Sequence, residues 1–541
     1  MQTIDKEDAS YITGPPWVFN GKVMIGFGGG DFGPVRGYVT AYDAATGEQA
    51  WRFHVVPGNP ADGFENDAMA MAAKTWTGEW WKHGGGGTVW HAMAYDPKYN
   101  RVYLGTGNGT PVNQKIRSPE GGDNLFLASI VALDADTGEY VWHYQVNPGE
   151  TWDYTASMDI ELADLEIDGR QRSVLMHAPK NGFFYVIDRE TGKLVSAEKF
   201  ARANWAEAID LATGRPLENP EARFSDGKGT LVFPGTIGAH SIQAMSYSPD
   251  TKLAYLPKID IGLVFADPAG DLSTWQPGPN MVVNQGLGAP QRSIEVPPPS
   301  SELLAWDPVK QHKVWSVPLT GIFNGSTTAT GGSLVFHGEV TGEINAYAAD
   351  SGKKLWTFDA QTGVQSQAIT YLAGGRQYLT VISGWRGMGN PSGMKSEWEY
   401  RLQPRRVLTF VLDGKAQLPA PGPRTTPFLD EPDFAVDPAK ADIGKTLTFA
   451  HCGLCHGFGL KSGGAAPDLR KSPIGLSLDA LKSVLQDGAL VAKGMPEFGE
   501  FSDAQIEGIQ HYIRQQARVA AGGEQGSEPA AGKSPQPASK F

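Results

Sequence analysis

The sequence predicts an all-β propeller followed by a small all-α domain. Three observations carry this. A loose repeat runs from the start to about residue 415: a strand, an Asp-x-x-Thr-Gly turn, then a Trp-bearing strand. Glycine and tryptophan are plentiful, 67 and 15 in 541 residues, which suits many short strands and turns. After a proline-rich break the apolar spacing turns helical.

The repeat begins with Ala41-Tyr42-Asp43-Ala44-Ala45-Thr46-Gly47 and Trp51, then Ala132-Leu133-Asp134-Ala135-Asp136-Thr137-Gly138 and Trp142. Weaker copies are Asp188 to Gly192, Asp307 with Trp315, and Asp350-Ser351-Gly352 with Trp356. Most of these tryptophans read as packing between blades. Residues 1–415 are therefore assigned to the propeller and 416–437 to an extended proline-rich linker. Residues 438–518 form the helical domain. A helix is expected over 439–449, Ser477 caps another, and Ser502 with Gln505 forms a capping box before Ile506, Ile509 and Ile513. The tail, 519–541, is rich in Ala, Gly, Ser and Pro and reads as disordered.

The helical domain declares its chemistry in Cys452-Gly453-Leu454-Cys455-His456. Two cysteines two residues apart and then a histidine read as a covalent haem c site. Each thiol bonds one haem vinyl group and His456 supplies nitrogen to the iron. The chain has 2 cysteines, both here, so an all-thiolate zinc site lacks its other ligands. A thioredoxin-like pair also fits the gap but needs a βαβ setting. Met495 is the one methionine after His456 and sits on a Gly-Met-Pro turn. It is the candidate sixth ligand, since a thioether suits an electron-transfer haem. Core filling is the alternative role.

The net charge of −13 and the lack of a basic patch argue against nucleic acid as a partner. No run approaches the ~20 apolar residues of a membrane span. The acidic, polar start is not a signal peptide, although haem c is attached outside the cytoplasm.

One stretch of the propeller departs from the repeat. Gly84-Gly85-Gly86-Gly87-Thr88-Val89-Trp90 leads to Gly105-Thr106-Gly107-Asn108-Gly109. The glycines are expected to let backbone approach something flat or bulky. Trp90 offers a ring as a stacking floor, and Asn108 an amide oxygen for a hard cation.

These motifs, with Asn147-Pro148-Gly149-Glu150-Thr151-Trp152-Asp153-Tyr154, His177-Ala178-Pro179-Lys180-Asn181-Gly182 and the haem motif, strongly resemble the quinohaemoprotein alcohol dehydrogenases. The resemblance runs from about Thr3 to the end of the haem domain. It implies an eight-bladed propeller, incomplete here, that binds PQQ and Ca2+, oxidises an alcohol, and passes electrons to one haem c. It also implies a periplasmic location and a periplasmic or membrane electron acceptor. Trp90 then resembles the PQQ floor, with Thr13, Gly29, Gly30 and Thr88 as further contacts. Asn324 and Trp385 edge the pocket. Asp153 resembles the catalytic base and a calcium ligand, Asn108 another calcium ligand, and Lys180 the cation beside the PQQ carbonyls.

Three departures stand out. Asp31 takes the place of a calcium-binding Glu, one methylene shorter. Ser241-Ile242 replaces an Asn-Trp pair at the pocket. The family's signal peptide, first blades, a PQQ-touching arginine and an adjacent-cysteine disulfide would all precede Thr3. Thr155 stands where lanthanide-using relatives carry a carboxylate, so the resemblance favours calcium. The rival reading is a haem-bearing propeller that has lost its quinone and only carries electrons.

Overall fold

The computed structural model describes residues 10–524, apart from 32, 92, 225–227, 278–284, 385–397, 400, 423–424 and 463–465. The chain divides into two compact units. One holds 1–385 and 404–419, the other 386–403 and 420–541.

The first unit is built from up-and-down antiparallel sheets. Among the described residues five have four strands and one, Ile369–Ala373 to Arg406–Val411, has three. In the first blade the strands Trp17–Phe19, Lys22–Ile25, Tyr38–Asp43 and Gln49–His54 lie side by side in chain order. The Asp-x-x-Thr-Gly sequence joins the third strand to the fourth. Asp43 Oδ1 accepts from the backbone of Ala45 and Thr46 and from the Thr46 hydroxyl, at 2.8–3.1 Å. Gly47 follows at φ +76°, a conformation glycine adopts without strain. Those donors hold the Asp43 carboxyl below its usual range.

The tryptophan after each turn reaches the next blade. Trp51 packs its ring on Gly138, where a Cβ would come within 2.6 Å, and its Nε1 donates to Ala135 O at 3.2 Å. Trp142 does the same to Gly192 and Arg189 O, and Trp315 to Gly352 and Ala349 O. The turn glycine thus serves twice, for its left-handed φ and for the flat space it leaves. A further copy of the turn, Asp210 to Gly214, lies in an insert, and Tyr144 covers its glycine.

In the second unit Asp437 caps a helix over Pro438–Leu447, close to the expected span. It runs into a wide turn, Thr448–Cys452, and a short helix, Gly453–His456. Ser477 caps Leu478–Leu485. Ser502 N donates to Gln505 Oε1 at 2.8 Å and Gln505 N to Ser502 Oγ at 3.4 Å, the two bonds of the expected capping box. Ile506, Ile509 and Ile513 are buried in the core with Leu481 and Phe498.

Two expectations need correcting. The last helix runs Asp503–Glu524, so 519–524 are helical rather than tail; 525–541 lie outside the described residues. The segment 416–437 is not one free linker. From 420 it belongs to the helical unit, where Asp430 pairs with Arg514 and Arg518. Proline-rich composition signals extension, but two arginines on a helix are enough to tie an extended chain down.

Gly192 (φ +72°) and Gly169 (φ +71°) share a conformation, but only Gly192 faces an indole; a Cβ on Gly169 would meet nothing within 4 Å beyond its chain neighbours. Alanine at either position strains the backbone. Gly192→Ala is expected to cost about 2 kcal/mol more than Gly169→Ala, the usual penalty for overpacking, read as a larger drop in thermal midpoint.

Candidate functional site

The Trp152-Asp153-Tyr154 turn is folded by the acid just before it. Glu150 Oε1 accepts from the backbone N–H of Trp152 at 2.6 Å and Tyr154 at 2.8 Å, and Oε2 accepts from Gly109 at 3.3 Å. Trp152 Nε1 donates to Ala222 O, and the Tyr154 hydroxyl donates to Pro234 O. With both neighbours anchored, Asp153 is forced to φ +63°, an uncommon conformation for a residue with a side chain. Its carboxylate is buried, and two donors hold it. Lys180 Nζ lies 3.2 Å from Oδ1, and Gln285 Nε2 donates to Oδ2 at 3.2 Å.

Lys180 reaches Asp153 because Gly238, at φ +89°, leaves room; a Cβ there would sit 2.4 Å from Lys180 Cγ. Gln285 arrives from a strap far along the chain. Asn113 receives the strap: its N–H donates to Gln285 O, and its Nδ2 to Gly286 O and Asp267 Oδ1.

The glycine strand is at φ +73° to +83° through all four residues. The close approach is to the protein itself, to backbone at Gly84 and Gly86 and to valine side chains at Gly85 and Gly87. A Cβ on Gly84 would strike Val35, and one on Gly86 would strike Asn108 O at 2.5 Å. The run threads between two segments and delivers Thr88 and Trp90. Asn108 Nδ2 donates to Asp31 Oδ1 at 2.9 Å. Thr13 Oγ1 donates to Trp90 O, and Thr110 Oγ1 to Gly30 O. Gly28 fits between the Tyr11 ring and Trp90 Cβ.

Asp31, Asn108, Asp153, Lys180 and, through Gly28 and Tyr11, Trp90 are thus brought together. Burial raises the Asp153 carboxyl well above its usual value, Asp31 raises it further, and Lys180 opposes both. The same surroundings push the Tyr11 hydroxyl up to about 12, by burial first and then by Asp31 and Asp153. Two acidic side chains and an amide oxygen with one lysine among them make a hard-oxygen donor set of the kind Ca2+ takes.

The Asn324 side chain is tied to nearby backbone. Its Nδ2 donates to Thr320 O and Gly321 O, and its Oδ1 accepts from Val340 N. Trp385 lies outside the described residues. Tyr11, Glu150 and Gln285 were not singled out by sequence. Glu150 lay inside a quoted motif; Gln285, 132 residues from Asp153, left no local signal.

In the helical unit Cys452 is buried and Cys455 exposed. His456 Nδ1 donates to Pro467 O at 2.8 Å, which leaves Nε2 unprotonated for iron. Burial also pushes the ring toward its neutral form. Met495 is half-buried against the same core. The donor chemistry fits a covalent haem.

The family model for the glucose/ethanol/alcohol dehydrogenase (PQQ) beta-propeller domain matches residues 1–199 and 194–379. That for cytochrome c oxidase, cbb3-type, subunit III, matches 439–513. The chain is 46% identical to quinohemoprotein alcohol dehydrogenase ADH IIB of Pseudomonas putida, over 95% of this chain and 74% of that protein. It is 43% identical to the quinohemoprotein alcohol dehydrogenase of Comamonas testosteroni, over 93% and 71%. The solved structure of ADHIIG from P. putida HK5 superposes with a TM-score of 0.85 at 44% identity, over 95% of this chain and 76% of that one. A europium-containing methanol dehydrogenase superposes at 0.59 and 32%, over 69% and 66%.

Asp153 without a cation is a destabilised carboxylate. Its folded-state proton affinity exceeds the unfolded one, so the stability tied to its proton is present at low pH and lost as pH rises through the raised value. Asp153→Asn is expected to raise the thermal midpoint of the cofactor-free protein at pH 7 and to abolish any further rise on adding Ca2+.

Proposed function

The chain belongs to the quinohaemoprotein alcohol dehydrogenases, PQQ-dependent enzymes that oxidise alcohols and carry haem c, and from that premise we propose how its own residues divide the work. Asp153 takes the hydroxyl proton of the alcohol. The observation that carries this is its setting: a buried carboxylate in a left-handed turn, gripped by Lys180 on one oxygen and Gln285 on the other. Burial and Asp31 raise its proton affinity, as a base working near neutrality requires.

Lys180 keeps that carboxylate aimed and puts positive charge where negative charge gathers during oxidation. Asp31, Asn108 and Asp153 hold calcium. Asn108 gives its amide nitrogen to Asp31 and so offers its oxygen to the ion. Thr155 spends its hydroxyl on Thr106 O and Ser157 and adds no carboxylate for a lanthanide. Trp90, Thr88, Thr13, Gly29 and Gly30 seat the quinone. Asn324 and Trp385 belong to the rim of that seat on the family resemblance alone. Cys452 and Cys455 tether the haem, with His456 and Met495 as its axial ligands. When bound, PQQ supplies a carbonyl carbon that accepts hydride, Ca2+ polarises that carbonyl, and haem c takes the electrons on one at a time.

The propeller unit carries the quinone and the C-terminal unit the haem. Covalent haem attachment places the working enzyme in the periplasm, where a periplasmic or membrane acceptor drains it. No described helix is long and apolar enough to cross a membrane.

Reconstitution with PQQ and Ca2+ followed by a primary alcohol is expected to reduce the haem, read from its absorbance. Asp153→Asn should slow that reduction by roughly 10²–10⁴-fold without changing the dithionite-reduced spectrum. Haem that answers dithionite but no alcohol, with the unsubstituted chain loaded with PQQ, would instead favour a mere electron carrier. Met495→Ala is expected to lower the haem potential and open the iron to added cyanide, measured by redox titration and ligand binding.

A further inference from the structure

His91 follows Trp90, and the two rings stack at 5.8 Å and 28°. Beside His91 lies a buried polar group that the steps above leave unused. At its centre is His240, whose two ring nitrogens both face carbonyl oxygens: Nδ1 is 2.7 Å from Ala178 O, and Nε2 is 2.5 Å from Gln243 O. A carbonyl only accepts, so each nitrogen must donate. A neutral imidazole has one N–H; this geometry requires two, an imidazolium. Asp159 Oδ1, 3.8 Å from Nε2, supplies the countercharge.

Four buried side-chain atoms around this pair have no hydrogen-bond partner among the described residues: His91 Nε2, His177 Nε2, Gln243 Nε2 and Asp159 Oδ1. All belong to residues that meet His240 or Asp159. Gln243 does so through its carbonyl, His177 through a 3.1 Å hydrogen bond from Nδ1 to Asp159 O, and His91 and His177 through the field of His240. A buried polar atom left bare is costly, and bound water is the usual partner of such atoms. The titratable neighbours are few. Asp159 and His177 come from the start and end of one strand pair, His91 from the segment after the glycine strand, and Glu161 lies beside Asp159. Lys180 packs on Gly238, two residues before His240.

Oxidation of an alcohol to a carbonyl releases two electrons and two protons. Haem takes electrons singly and no proton, so each electron that departs leaves a proton to be cleared from a buried site. We propose that His240 and Asp159, with His91, His177, Gln243 and the water they bind, form the proton exit of this enzyme. The proposal rests on the reading of Asp153 and the quinone seat given above. The proton is received on the Asp159 carboxylate, beside the fixed His240 cation, and leaves by Glu161, which is only partly buried. Burial raises both acids, Asp159 to about 7 and Glu161 to about 8, and the His240 cation beside Asp159 draws that carboxyl back down, which keeps it ready to take a proton and to pass it on. Burial is the larger influence on the His240 ring and lowers its proton affinity, against the Ala178 and Gln243 carbonyls; the second proton follows from the geometry of two acceptor oxygens, one on each nitrogen.

The test has two arms. In the cofactor-free chain, ¹⁵N spectra of labelled histidines, assigned with His240→Gln, are expected to show His240 with both nitrogens protonated at pH 7. A neutral single tautomer overturns the proposal. In the PQQ- and Ca2+-loaded enzyme, stopped-flow with a pH indicator should show protons appearing in step with haem reduction. In Asp159→Asn, proton appearance should lag by at least about tenfold, with a larger solvent deuterium effect, while the first electron still reaches haem. Should that variant not fold, Gln243→Leu carries the same expectation. Proton release that stays locked to haem reduction in the variant defeats the exit. Wild-type enzyme whose haem no alcohol reduces defeats the underlying reading, and the exit with it, whatever the histidine spectra show.

Discussion

The propeller unit depends on one repeated contact, an indole laid flat on a left-handed glycine of the next blade. Trp51 on Gly138, Trp142 on Gly192 and Trp315 on Gly352 are instances of one arrangement. A sheet alone has an exposed face and two open edges. The indole covers the neighbour's turn while its N–H satisfies a carbonyl there, so one side chain contributes apolar area and a hydrogen bond. The turn's aspartate supplies the acceptor that fixes the glycine in place. Blade order is therefore written into the fourth strand and the turn before it.

What this frame holds is a group of side chains that would repel one another without it. Asp31, Asp153 and Glu150 meet in a buried space with Lys180 and Arg117 as the nearby cations. Glu150 is satisfied by three backbone N–H groups, and its role is to bend the turn that presents Asp153. The cost appears as a left-handed aspartate and a raised proton affinity. Both suit the cation-binding and proton-accepting roles proposed for Asp153. The glycine run beside it belongs to the same economy of space, threading close to backbone so that Trp90 arrives at the site.

The helical unit is simpler, and its haem chemistry is almost wholly local. The two thiols and His456 lie within five residues on consecutive short helices. Only the choice of iron-facing nitrogen comes from outside, through the Pro467 carbonyl on Nδ1. The extended strand before the first helix is held by Arg514 and Arg518, which is why its proline-rich composition was a poor guide to where the unit begins.

By itself the sequence determined whatever rests on near neighbours: the haem motif, the Asp-x-x-Thr-Gly turns, the helix caps at Ser477 and Ser502, and the residue types ready for quinone and calcium. Turn and cap chemistry acts over two to four residues, so it is visible in a string. The purpose of the glycines was not visible, because the backbone that Gly84 and Gly86 approach lies about 50 residues before them in one direction and 20 after in the other. Nor was the Gln285 contact to Asp153, or the pairing of His240 with Asp159, whose members lie 132 and 81 residues apart. Only the closing of blades around a common centre sets those distances, and a buried charge takes its properties from whatever that closure puts beside it.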